Sequence, residues 1–137
     1  MIETSVPGTV KKVRRGSWNS NPIFKPVVES QFFPVDVMVM NFYDSLVPGR
    51  KKAGLSFWQM MVVDEAFYLV PEDKDPSVQV VSPNGYRAEL SSDVAGIVAT
   101  LFALGHMGNH QANVAFRRLL KHAQTLTEYA HIARLID

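Results

Sequence analysis

The chain contains no cysteine, an absence that removes disulfides, thiolate metal sites and a cysteine nucleophile together and fits a cytoplasmic protein. Its 4 histidines are the only soft metal ligands left. No apolar run approaches the ~20 residues needed to span a bilayer, and the N-terminal MIETSVPGTVKKVRR has no apolar signal core. No membrane partner is expected. Charge of one sign is missing too: 14 basic and 13 acidic side chains give a net charge of +1. A global DNA mimic needs dense negative charge to match one phosphate per ~1.7 Å of duplex axis, and a dedicated duplex binder is usually clearly basic. With a pI near 8.0 the chain is neither. Also absent are a GxSxG elbow, a P-loop and a dinucleotide fingerprint, so no enzyme and no cofactor are expected.

What is present is enough for one ordered domain. At 137 residues a chain buries roughly 65–70% of its unfolded surface. Its 47% hydrophobic and 20% charged residues match a globular composition. Residues 1–26 hold Pro7, Gly8, Gly16, Pro22 and Pro26, with Lys11, Lys12, Arg14, Arg15 and Lys25 against the single acid Glu3. They read as an irregular basic arm, either loosely packed or touching nucleic acid through phosphate contacts and Trp18 stacking. Residues 27–137 read as a single domain.

Val35, Met38, Val39, Phe42, Tyr43 and Leu46 fall at i, i+3, i+4, i+7, i+8 and i+11, which predicts a helix over 34–47. Pro34 suits its first turn and Pro48-Gly49 stop it. GRKKAG, 49–54, then reads as a basic loop. From Leu55 to Leu90 the runs LSFWQMMVV, AFYLVP, SVQVVS and GYRAEL predict a four-stranded antiparallel meander. Asp64-Glu65, EDKDP and Pro83-Asn84-Gly85 would be its connections, with Gly85 at positive φ. Alternation puts one of each aromatic pair, Phe57-Trp58 and Phe67-Tyr68, on each face. One set is core, and the other is either covered by a helix or used for binding.

Ser91 or Ser92 caps the next helix, with Asp93 in its first turn. VAGIVATLFALGHM is apolar on every side, which predicts a central helix with other elements around it. Gly96 and Gly105 each cost about 1 kcal/mol in a helix interior, so close approach by another backbone is expected at both. Ala112, Ala115, Phe116, Leu119, Leu120, Ala123, Leu126, Ala130 and Ala133 trace an apolar stripe opposite Arg117, Arg118, Lys121, Gln124 and Glu128. With no proline or glycine after 111, this is one long amphipathic helix or two in series. The expected fold is therefore α+β: an antiparallel meander sheet of three to four strands packed with a central apolar helix and flanking amphipathic helices.

His106 and His110 have helical zinc spacing, but HExxH is absent and Gly108-Asn109 should end the helix between them, so no metal site is expected. Ser91, Ser92 and Asp93 are explained by capping without catalysis. Residues 64–93 are acidic, a solvated edge or a face for a basic groove on a protein partner.

The order of these motifs resembles the ArdB/KlcA family of antirestriction proteins. Members have a glycine-tryptophan strand, a hairpin, an aromatic-tyrosine strand ending in Ala-Pro-acid, an asparagine-containing turn and a Leu-Ser-x-acid-Ala-Ala-Gly helix start. Gly54, Trp58, Phe67, Tyr68, Pro71, Glu72, Asn84, Leu90, Ser91, Ala95 and Gly96 stand at those positions. The likeness covers about residues 38–137, with Ile136-Asp137 ending the chain as in many members. The family's Tyr-x-Gly-Gly lead into the tryptophan strand reads GRKKAGLSFW here, its Asn-Gly-Gly turn reads VDEA, and its His-Pro-Glu linker is missing. The sequence of the N-terminal arm does not resemble the family.

What the resemblance implies is a non-catalytic protein that antagonises type I restriction-modification enzymes and so protects incoming mobile-element DNA. The partner would be the type I restriction-modification complex, with Trp58, Tyr68, Asp93 and Asp137 as candidate partner-binding residues. The alternative is a small nucleic-acid-binding accessory protein using Lys11, Lys12, Arg14, Arg15, Arg50, Lys51, Lys52, Arg117, Arg118 and Lys121. Either a monomer or a symmetric homodimer is compatible with the sequence.

Overall fold

The computed structural model describes residues 8–48, 58–72 and 75–137. The expected basic loop at 49–54, with Arg50, Lys51 and Lys52, lies outside these residues, as do Phe57 and part of the EDKDP connection. The first helical turn of note is α1, Lys25–Glu29, followed by α2, Val35–Leu46. Pro34 stands at the N-cap of α2, whose buried face is Val35, Val39, Tyr43 and Leu46. The predicted periodicity is therefore the one the helix uses.

Strands β1 (Val10–Val13), β2 (Trp58–Val63) and β3 (Ala66–Pro71) form one antiparallel sheet in the order β1-β2-β3. The described part of the 1–26 segment thus departs from the irregular arm expected of it. Val10 pairs with Val63 and Val13 with Met60, while Trp18, 4% exposed, joins the core and donates its Nε1 hydrogen to the Val13 carbonyl at 3.1 Å. Four residues with two central lysines carry too little apolar pattern to show as a strand, and the pairing comes from β2. Asp64-Glu65 makes the β2–β3 turn as predicted, with Asp64 at φ 52. Aspartate is one of the few residues that tolerate this left-handed conformation.

The predicted meander stops at β3. Strands β4 (Val78–Val81) and β5 (Arg87–Leu90) form a separate two-stranded hairpin, because the outer edge of β3 is taken by a helix. That helix is α3, Ser92–Met107, buried along most of its length. Leu69 N–H donates to Thr100 Oγ1 at 3.1 Å, and a Cβ added at Gly96 would stand 2.5 Å from the Leu69 carbonyl oxygen and 2.5 Å from Val70 Cγ1. The close backbone approach expected at Gly96 is present. At Gly105 it is not: the nearest atom is a Phe116 ring carbon at 3.6 Å.

Around α3 pack α2, β3 and α4 (His110–Ala123). A break follows at 124–128, and α5 spans Tyr129–Ile136. Thr125 accounts for it without proline or glycine: its hydroxyl and its N–H both donate to the His122 carbonyl, at 2.6 and 2.9 Å. This local side-chain bond competes with helix continuation. The break also turns the apolar face, so α5 buries Ile132 and Leu135, while Ala130, placed on the stripe by periodicity, is exposed.

The β4–β5 turn closes the far end. Gly85 takes φ 90. Asn84 Nδ2 donates to the carbonyls of Arg134 and Asp137 at 2.8 and 3.1 Å, and Ser82 Oγ donates to that of Leu135 at 2.5 Å. Terminal carbonyls of α5, which have no partner within the helix, are thereby satisfied.

Candidate interaction surface

Of the family-like positions, two are interior. Trp58 is 4% exposed and meets Tyr43 edge-to-face with centroids 5.2 Å apart. Tyr68 is 2% exposed and lies parallel to the His122 ring at 6.3 Å. Phe67, pointing to the opposite face, meets Phe24 at 4.9 Å. Among the described residues, Trp58, Phe67 and Tyr68 are therefore all covered, on both faces of the sheet, while Phe57 lies outside them. Trp58 and Tyr68 are interior side chains with almost no exposed surface of their own.

Asp93, half-buried in the first turn of α3, lies within electrostatic reach of Tyr68. Burial first, and the Asp93 charge second, push the Tyr68 phenol well above its ordinary value. Burial lowers the His122 imidazole, against the opposing pull of Asp64. Tyr68 thus neighbours His122 through its ring and Asp93 through its charge. Sequence reasoning missed His122, although a signal existed: it falls three residues after Leu119 and seven after Ala115, inside the apolar stripe of α4. Asp137 is exposed and belongs to a different region, the C-terminal end held by Asn84.

The basic candidates divide. Lys11 pairs across from Val62 and Lys12 from Met61, so the two side chains point to opposite faces of the sheet. Lys12, Arg14 and Arg15 line a cavity of about 410 Å³ whose walls include Trp18, Trp58 and Glu72. Arg15 is engaged twice, 3.4 Å from Asp36 and 4.0 Å above the Trp18 ring. On α4, Arg117, Arg118 and Lys121 are exposed, but Arg118 stands 3.5 Å from Glu65. Arg118, Lys121 and His122 share a cavity of about 390 Å³ with Asp64 and Glu65. Acids are interleaved with the bases in both places.

Two other constellations resolve into structure. Gly108, at φ 70, ends α3 between His106 and His110, and among the described residues no three histidine, aspartate or glutamate side chains gather as metal ligands. Ser91 Oγ accepts the Val94 N–H at 3.3 Å. Ser92 Oγ accepts the Asp75 N–H, and Ser92 N–H returns a bond to the Asp75 carbonyl, both at 2.9 Å. The serines cap α3 and pin the strand connection to it. No helix among the described residues is long and apolar enough to cross a membrane.

An antirestriction protein KlcA of Escherichia coli is 47% identical over 53 residues, 38% of this chain and 37% of its own length. A second KlcA of the same organism is 37% identical over 90 residues, 59% of this chain and 62% of its own. The matched stretches thus span less than two thirds of these relatives. A solved structure covers 100% of both chains at a TM-score of 0.74 and 27% identity. It is described as that of the KlcA and ArdB proteins, with a novel fold and antirestriction activity against Type I DNA restriction systems in vivo but not in vitro. The antirestriction protein family model matches residues 53–137, more than half of the sequence, and the chain belongs to that family.

Proposed function

We propose that this protein antagonises type I restriction-modification enzymes, protecting incoming mobile-element DNA, and that it does so non-catalytically through protein contacts rather than as a global DNA mimic. The observation that carries the reading is the end-to-end match of its fold to the KlcA and ArdB structure, over 100% of both chains. The net charge of +1 and the pairing of Arg118 with Glu65 and of Arg15 with Asp36 support contact with a protein rather than imitation of a polyanion. Asp137 is the exposed member of the proposed partner-binding set. Asp93, Tyr68 and Trp58 lie in a different region and act through the fold, by holding α3 and the sheet in place.

The test is the plating efficiency of unmodified phage on cells with a type I restriction system, with and without the protein. Rescued plating is expected, retained in Tyr68→Phe and reduced in Asp137→Ala. Unchanged plating with soluble protein present would sink the reading for that system. Removing residues 1–26 is unsuitable, because β1 and Trp18 go with them.

The nucleic-acid reading is favoured by the cavity where Lys12, Arg14 and Arg15 meet. It requires DNA binding that weakens steeply with salt, since each neutralised phosphate releases counterions.

A further inference from the structure

Between the last turn of α2 and the β4–β5 hairpin lies a cavity of about 590 Å³. It is larger than the two bordered by the basic candidates and within the size range of small-molecule sites. Phe42, Leu46, Pro48, Val81 and Pro83 give it apolar walls, and those walls are held in place. The Phe42 ring stacks on Phe102 at 5.9 Å, and Leu46 is buried. On the hairpin side Ser82 is fully engaged: its N–H donates to the Tyr86 carbonyl and its carbonyl accepts the Gly85 N–H, both at 2.9 Å, while its hydroxyl donates to the Leu135 carbonyl.

Arg87 stands exposed at the rim. It pairs with Val81 across the hairpin, so the two side chains share the face that walls the cavity. Arg15 and Arg118 are closed by Asp36 and Glu65. Arg87, by contrast, has no ion pair among the described residues, and no carboxylate lines the cavity. A free guanidinium beside apolar walls selects a carboxylate, which it can hold through two parallel hydrogen bonds. The opposite wall is the C-terminal turn of α2, the negative end of that helix's dipole. An anion is disfavoured there and is directed to the hairpin side, where Arg87 is.

We infer that this cavity binds a small carboxylate with an apolar tail, the carboxylate on the Arg87 guanidinium and the tail between Phe42, Leu46 and Val81. A polypeptide fits less well, because its amides would need partners in the walls. Pro48 and Pro83 have no N–H to give, and the Phe42, Leu46 and Val81 side chains carry no polar group. The inference stands independently of the antirestriction reading, because its readout is binding to the isolated chain.

The test is calorimetric titration of the full chain with octanoate and with its uncharged counterpart octanamide. Saturable binding of octanoate to one site is expected, tighter than octanamide by about tenfold, the worth of one charge-assisted contact. Arg87→Gln should erase that preference while leaving the circular dichroism spectrum and melting temperature unchanged, since the side chain is exposed and unpaired. Ser45→Trp, at an exposed α2 position on the cavity wall, should fill the space and abolish binding of both compounds. Lys12→Gln, at the separate basic cavity, should change nothing. No saturable octanoate binding at millimolar concentration overturns the inference. So does octanamide binding as tightly as octanoate, or a preference for octanoate that survives Arg87→Gln.

Discussion

Strands β3 and β1 bound the same three-stranded sheet, and the chain finishes the two edges in opposite ways. At β3 the edge is sealed. Leu69 gives its N–H to Thr100, and Gly96, having no Cβ, lets α3 approach closer to β3 than any side chain there would allow. At β1 no strand among the described residues takes the outer side, and the strand is short, mostly exposed and centred on Lys11 and Lys12. An unpaired edge is a template for pairing with other chains, and covering it or placing lysines on it are two ways of preventing that. The sealed edge depends on a few interior atoms with no tolerance, whereas the open edge depends on charge and tolerates much.

The sharpest way to break this contrast is Gly96→Val. Its Cβ would sit 2.5 Å from the Leu69 carbonyl oxygen, an atom that cannot swing aside. A loss of about 3–5 kcal/mol or failure to fold is expected, measured by chemical denaturation or soluble yield. Thr100→Val keeps the shape and removes the acceptor of the Leu69 N–H. Leaving that buried donor unpaired should cost about 1–3 kcal/mol. Gly105→Ala is the control on the same helix: with the nearest atom at 3.6 Å, it should stabilise by about 0.5–1 kcal/mol. If Gly96→Val and Gly105→Ala behaved alike, the sealed edge would be an incorrect description.

These contrasts also mark what could be read in advance. Helices α2 and α3 were legible because their apolar positions follow one period or fill every face, whereas the cost of a helical glycine pointed equally to Gly96, where the close approach exists, and to Gly105, where it does not. The two-part sheet was not legible, because strand patterns do not say which edge a helix will occupy. β1 was hidden by its lysines, and the α4–α5 break by the lack of any glycine or proline at Thr125. At the candidate site, Trp58 and Tyr68 were identified through the family resemblance, but their burial could not be read from alternation alone. His122 could have been found from its place in the apolar stripe, had a histidine there been weighed as a neighbour of Tyr68.

Behind β3, the Tyr68–His122 contact gives the sealed side a pH signature. Burial lowers the His122 pKa in the folded state, so the unfolded chain binds the extra proton first. Its contribution is present above the unfolded value of about 6.5 and is lost as pH falls through the lowered value. Thermal stability should therefore decline on acidification below about pH 6.5, and His122→Gln should flatten that slope. Tyr68 works in the other direction: its raised pKa favours the folded state up to the unfolded value of about 10 and loses that advantage above it. An ultraviolet titration in which every tyrosine ionises together below pH ~10, with the fold intact, would remove Tyr68 from the interior.

The smallest effect on stability is expected at the open edge. Lys11 and Lys12 are exposed on opposite faces of β1, outside the buried core. Lys11→Thr with Lys12→Thr should leave the denaturation midpoint within about 0.5 kcal/mol of the parent, and threonine suits a strand at least as well as lysine does. The consequence should appear in association instead. Without its two charges the strand edge is flanked by Val10 and Val13 alone, and light scattering on standing at high concentration should rise where the parent stays clear. A double variant that stays as clear as the parent would mean that length and twist protect this edge without the lysines. The lysines would then be available for the nucleic-acid contact that their sequence first suggested.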